Sequence, residues 1–245
     1  MTDAEWQAST DAISMLEAVR PAASPRKLRL FQVACVRRVW QYVTDPGSRA
    51  LVELVERSAD GPVPEAEILA LPYDWLSDDC GGPGPAERHA YMVAGHVGYS
   101  LIGPLHGSEF PSNDWQDARS AAQGAATVVA EAAELPDDDE HLPAYQALQA
   151  KEAAAQADLL RDLFGNPFGP VAFDPRWRTA DVLALARGIY DERAFDRLPL
   201  LADALLDAGC DSDEVLNHCR GSGPHVRGCW VADLVLGKEP STATK

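Results

Sequence analysis

The chain has 245 residues, of which 38 are acidic and 21 basic, for a formal net charge of −17. Apolar residues at 46% and charged residues at 24% exclude a disordered chain, and the length admits a sizeable core. The acid excess also excludes a phosphate-binding surface spread over the whole molecule, so nucleic acid is not an expected partner.

Taken in chain order, the pattern is helical throughout. Thr2 or Asp3 caps a first helix through Trp6, and Thr10 and Asp11 cap a second over 12–20. Leu28, Phe31, Cys35 and Val39 mark one face of a helix over 26–43. Asp45-Pro46-Gly47 reads as a turn, and Ser48 opens a helix through Leu54 and Val55. A short helix over 64–71, a flexible loop over 78–85 and a glycine-bearing helix over 86–101 follow. Asn113 or Asp114 caps an Ala-rich helix to about residue 135, and a second long helix spans 141–164.

Two prolines and two glycines force a tight turn over 165–170. Thr179 caps a helix over 180–190, and the next spans 193–208, with Pro199 in its first turn or at a kink. Gly209 then suits the left-handed position after that helix, which puts Cys210 where an apolar residue packs back. Ser212 caps 213–220, Pro224 opens the last helix and Gly237 closes it. The expected fold is all-α, with roughly eight to ten helices joined by short connections. It reads as a single domain over 1–237, divided into an N-terminal block (1–60), a middle (61–145) and a C-terminal block (146–237), with a flexible tail over 238–245.

The opening residues lack the cationic and apolar regions of a signal peptide. The longest apolar stretch, 90–105, is interrupted by His96, three glycines and Pro104, and spanning a bilayer takes roughly 20 apolar residues. Five cysteines at irregular spacing fit reduced thiols better than a disulfide framework. A cytoplasmic protein without a membrane segment is expected.

The stretches MTDAEW and RKLRLFQVACVRRVW near the start resemble a large family of uncharacterised proteins expanded in planctomycetes. So do LRDLFGNPFGPVAFDPRW, DERAFDRLPLLADALLDAGC and HCRGSGPHVRGCWVADLVLGK near the end. The resemblance covers roughly the first 60 and last 95 residues. It implies a shared helical fold with a variable Ala-rich middle, and it brings no activity, cofactor or catalytic residue. In that family an aliphatic residue often replaces Cys219, which weakens any role for its thiol.

The densest group of chemically capable side chains is Cys210, His218, Cys219, His225 and Cys229. His225 and Cys229, at i and i+4 of the expected last helix, make a workable pair of zinc ligands. His218 or Cys219, together with Cys210, would complete a tetrahedral site. The alternative is packing, with the cysteines as small hydrophobes and His218 at a helix C-terminus. Asp233 lies in the otherwise apolar run 229–236 and needs a partner, with Arg227, Arg37 and Arg38 as candidates; acid–base work beside His225 is the functional alternative. His89 and His96 stand two turns apart, about 10 Å, too far to share one ion. Gly95 and Gly98 suit close helix packing.

Charge is unevenly spread. Residues 20–49 carry seven basic residues and one acid, a net +6, which leaves −23 for the rest. Lys27, Arg29, Arg37 and Arg38 on one helix suit a small anion or nucleotide, or else dock on acids such as Asp203 and Asp207, or Asp191 and Glu192. No phosphate loop, dinucleotide fingerprint, zincin motif or nucleophile elbow occurs. The leading expectation is therefore a non-catalytic helical interaction protein that meets an unidentified protein partner. The alternatives are a zinc-type metal protein or metalloenzyme at His218, His225 and Cys229, and an anion binder at the basic helix.

Overall fold

A computed structural model describes residues 1–71, 84–102 and 113–238. These residues form twelve α-helices: α1 (Asp3–Ala8), α2 (Ala12–Val19), α3 (Pro25–Arg38), α4 (Pro46–Ser58), α5 (Glu65–Leu69), α6 (Pro85–Ile102), α7 (Asp114–Glu131), α8 (Leu142–Phe164), α9 (Ala180–Glu192), α10 (Leu198–Asp207), α11 (Asp213–Arg220) and α12 (Trp230–Leu236). No strand occurs among them, and the all-α class holds. Among the described residues no helix is long and apolar enough to cross a membrane. Cys80, His106, most of the expected loop at 78–85 and the tail beyond Lys238 lie outside the described residues.

Capping explains where most helices begin. Thr2 and Glu5 form a reciprocal capping box at α1, with Glu5 N donating to Thr2 Oγ1 and Thr2 N donating to Glu5 Oε2. The side chains of Asp11, Ser24, Asn113, Thr179 and Ser212 accept first-turn N–H groups of their helices. Asp45-Pro46-Gly47, expected as a turn, is instead a helix start. Asp45 caps the Ser48 N–H at 2.6 Å, and Pro46 occupies a position that needs no donor. At the end of α10, Gly209 takes φ +87°, and Cys210 N donates to Leu205 O, so the Cys210 side chain folds back into the core.

Two helices start later than expected. The helix read over 193–208 begins at Leu198, because Arg193 turns left-handed and a 3₁₀ turn (Phe195–Arg197) intervenes. The last helix begins at Trp230 and not at Pro224. Gly228 at φ +91° breaks the run, and the Val226 N–H donates to Asp162 and not to a helical carbonyl. His225 and Cys229 are therefore not neighbours on a helix face.

The chain divides into two compact units, Ser9–Ala157 (the central unit) and Met1–Ala8 with Asp158–Lys245 (the terminal unit). These boundaries differ from those of the three blocks, since the first eight residues join the C-terminal region.

In the central unit, α6 packs against α7 and α4, and α3 packs against α7 and α4. A Cβ at Gly98 would collide with Leu51, and one at Gly124 with Val93, so both glycines permit close helix approach. The basic helix α3 is neutralised from several sides. Arg26 pairs with Asp60 at 3.2 Å, Arg29 with Asp114 at 3.1 Å and Arg37 with Glu56 at 2.7 Å. Arg38 grips Glu152 with two bonds of 2.6 and 2.8 Å. Docking within the fold is thus realised by acids on α4, α7 and α8 and by Asp60 just beyond α4. Of the acids suggested for this role, Asp203 pairs with Arg220 and Glu192 with Arg197. Lys27 is buried at 6% exposure, so the residues proposed for an anion are three paired arginines and a buried lysine.

The terminal unit has one apolar core of α9–α12, centred on Ile189, Leu201, Leu205, Val215 and Val231. Arg178 donates to the carbonyls of Leu234 and Val235 and so caps the end of α12.

Arg38→Ala strands Glu152, which is 4% exposed, and should cost about 2–4 kcal/mol in urea unfolding at neutral pH. Asp117 Oδ2 is buried without a hydrogen-bond partner, and burial, with Asp114 next, pushes this carboxyl up to about 6. The folded state then holds this proton more tightly than the unfolded one. The contribution of Asp117 to stability should fall as pH rises from about 4 through 6. Asp117→Asn should flatten that limb and raise stability above it by about 1–2 kcal/mol.

Candidate metal centre

The last turns of α8 carry Leu159, Leu160 and Leu163 into the core, and Asp162 shares that buried stripe at 3% exposure. A carboxylate there must be met by donors. Its Oδ2 accepts the Val226 N–H at 2.9 Å, which leaves Oδ1 facing two imidazoles. His225 Nδ1 lies 2.7 Å from Oδ1, and His218 Nε2 lies 3.1 Å from it. His218 Nε2 is also 3.1 Å from Cys229 Sγ. Asp162, His218, His225 and Cys229 thus each present one donor atom, all within 4.8 Å of one another.

Each donor is fixed from behind. The second nitrogen of His225, Nε2, lies 3.2 Å from the carbonyl of Gly221, which directs Nδ1 into the cluster. The His218 ring lies 4.9 Å from the His225 ring at 72° and 5.0 Å from the Trp230 ring at 56°. Cys229, fully buried, precedes the first turn of α12.

The electrostatics follow from this geometry. Burial opposes the charge on Asp162, yet hydrogen bonds from His218 and His225 overcome it and hold the carboxyl below its usual range. Burial also disfavours the His225 cation, but the Asp162 carboxylate more than offsets it, so this imidazole is raised. Both ring nitrogens of His225 face oxygens that only accept, an arrangement that favours the protonated ring. Burial pushes the Cys229 thiol well above its normal value, and Asp162 adds to that.

This arrangement is not a cysteine–histidine–aspartate relay. In such a relay the thiol and the carboxylate engage opposite ring nitrogens, so that a proton can pass through the ring. Here Cys229 and Asp162 both face Nε2 of His218. The four donor atoms instead form a group of the kind that can hold a metal ion. Bond lengths of about 2.0–2.3 Å at tetrahedral angles put donors roughly 3.3–3.7 Å apart. To accept an ion, the hydrogen-bonded pairs at 2.7–3.1 Å would open by about half an ångström, and the widest pairs, which reach up to 4.8 Å, would close by about an ångström.

Of the expected ligands, the structure brings His218, His225 and Cys229 together and adds Asp162; Cys210 is outside the group. Cys219 is also outside, buried in the core, its thiol pushed up to about 12 by burial and then Asp162. The four described cysteines, Cys35, Cys210, Cys219 and Cys229, are free and buried. The carboxylate beside His225 is Asp162 and not Asp233. Asp233 is buried at 1%, and Arg227 lies over the Tyr190 ring at 4.7 Å. Arg37 and Arg38 pair with Glu56 and Glu152. His89 pairs with Glu131 at 2.6 Å, and His96 is exposed.

Asp162 went unread because its partners lie more than fifty residues away. Its signal was the same as that of Asp233, a charge on the apolar stripe of a helix. No family model, curated protein or solved structure matches this chain.

Asp162→Ala removes the acceptor shared by two imidazoles and the Val226 amide, leaving buried donors unmet. In the presence of a chelator it should lower unfolding free energy by about 2–4 kcal/mol, read from urea titration.

Proposed function

We propose that this protein binds one zinc-type divalent ion through Asp162, His218, His225 and Cys229, and that the ion is structural. The observation that carries the reading is four donor atoms of three chemical kinds within 4.8 Å of one another, with Asp162 on α8, His218 on α11, and His225 and Cys229 on the segment between α11 and α12. Two imidazoles, a thiolate and a carboxylate suit a borderline-soft tetrahedral ion; magnesium and calcium prefer more numerous oxygen ligands. One thiolate and one carboxylate balance a +2 charge, which a buried site requires.

Four protein ligands fill a tetrahedral sphere and leave no position for substrate. That supports a metal-stabilised, non-catalytic helical module over a metalloenzyme. All four ligands fall within LRDLFGNPFGPVAFDPRW and HCRGSGPHVRGCWVADLVLGK, two of the stretches that resemble the planctomycete family. Membership of that family is part of the proposal.

Protein stripped with chelator and titrated with Zn²⁺ should take up one equivalent by elemental analysis. At an excess of about a thousand times Kd, the gain in stability should be about 4 kcal/mol. Co²⁺ should give the strong visible absorption of a tetrahedral site and a thiolate charge-transfer band. Cys229→Ala should abolish that band and the bound metal. Sub-stoichiometric metal, with a Tm indifferent to chelator, overturns the proposal.

A further inference from the structure

We propose that the first helix, through Trp6, is a clasp that positions the metal ligands and sets the affinity of the site. The inference rests on the metal-binding reading above. All residues concerned belong to the terminal unit.

Trp6 is fully buried, on a helix of only six residues. Its indole Nε1–H donates to the carbonyl of Gly165 at 3.0 Å, and its own carbonyl accepts from Arg161 at 3.0 Å. Asn166 Nδ2 donates to Asp3 Oδ1 at 3.0 Å, and Phe168 meets the Trp6 ring edge-on at 6.3 Å. Every one of these partners flanks the end of α8. Arg161 is the residue before Asp162, and Gly165 lies three residues after it.

Gly165 is also where the second ligand is reached. It turns left-handed at φ +62°, and a Cβ there would lie 3.2 Å from the Trp230 indole. That indole packs on His218. Holding Gly165 therefore fixes the last turn of α8, which aims Asp162, and the wall on which Trp230 supports the His218 ring. Trp6 touches no metal-ligand atom in these contacts; it acts through Gly165 and is a positioning residue. Groups that orient metal ligands typically change affinity by about 10- to 100-fold when removed.

The test uses the full chain. Trp6→Phe keeps an aromatic filling and loses the indole donor. Zn²⁺ affinity, by competition with a chromophoric chelator, should fall about tenfold or more, with a shifted Co²⁺ visible band. Leu201→Ala, a core truncation on α10, should leave both readouts at wild-type values in the folded protein. Should Trp6→Phe fail to fold, Asn166→Asp serves in its place, setting a carboxylate against Asp3 at the surface of the clasp. It should weaken Zn²⁺ binding, and adding Asp3→Asn should restore it. Stoichiometric metal with wild-type affinity and spectrum in Trp6→Phe, or in Asn166→Asp, overturns the clasp and leaves the metal reading standing. Absence of metal from the unaltered protein overturns both.

Discussion

A carboxylate placed in an apolar helix face must find donors or lose its charge, and Asp162 meets that constraint with three groups at once. Its two oxygens divide the work: one takes the Val226 amide, the other meets His218 and His225. The first bond replaces a helical hydrogen bond for residue 226, so the stretch between α11 and α12 stays irregular. Irregularity there is what lets His225 and Cys229 approach from different directions. The cluster exists because the carboxylate draws backbone and imidazole to the same point.

The central unit faces the same electrostatic problem and solves it differently. Glu56 and Glu152 are buried, and arginines of α3 reach them from a single helix. Guanidinium groups keep their charge under all ordinary conditions and fit carboxylates with paired hydrogen bonds. Such pairs join helices and have no chemistry to offer. In the terminal unit, imidazoles take the place of guanidiniums. An imidazolium can release its proton to solvent as a metal ion takes its place, and a neighbouring thiol can do likewise. The choice of cationic partner thus separates a structural brace from a group that carries donor atoms for a metal ion.

Much of the helical layout was legible because it depends on local chemistry. Asp11, Ser24, Asn113, Thr179 and Ser212 sit beside apolar periodicity, and Gly209 and Gly237 follow it. Those signals act within a turn or two of the chain. The late starts at Leu198 and Trp230 were hidden because competing contacts cancelled plausible local signals. For Trp230 the competitor was Asp162, whose bond to the Val226 amide spans 64 residues. The pairing of α3 was legible as a need for acids, but not as a choice of acids. Any of 38 carboxylates would satisfy Coulomb attraction, and packing selected Asp60, Asp114, Glu56 and Glu152.

The amino-acid sequence by itself determined the all-α class, most caps, the concentration of positive charge on α3 and the set of histidines and cysteines capable of ligation. Periodicity and side-chain chemistry suffice for these, because they need no knowledge of distant neighbours. Only the tertiary structure decided that Asp162 replaces Cys210 in the cluster, and that His225 presents Nδ1. It also decided that Trp6 holds Gly165 from the other end of the chain. Those outcomes depend on how helices pack, and packing is set by the sum of many weak contacts spread along the whole chain.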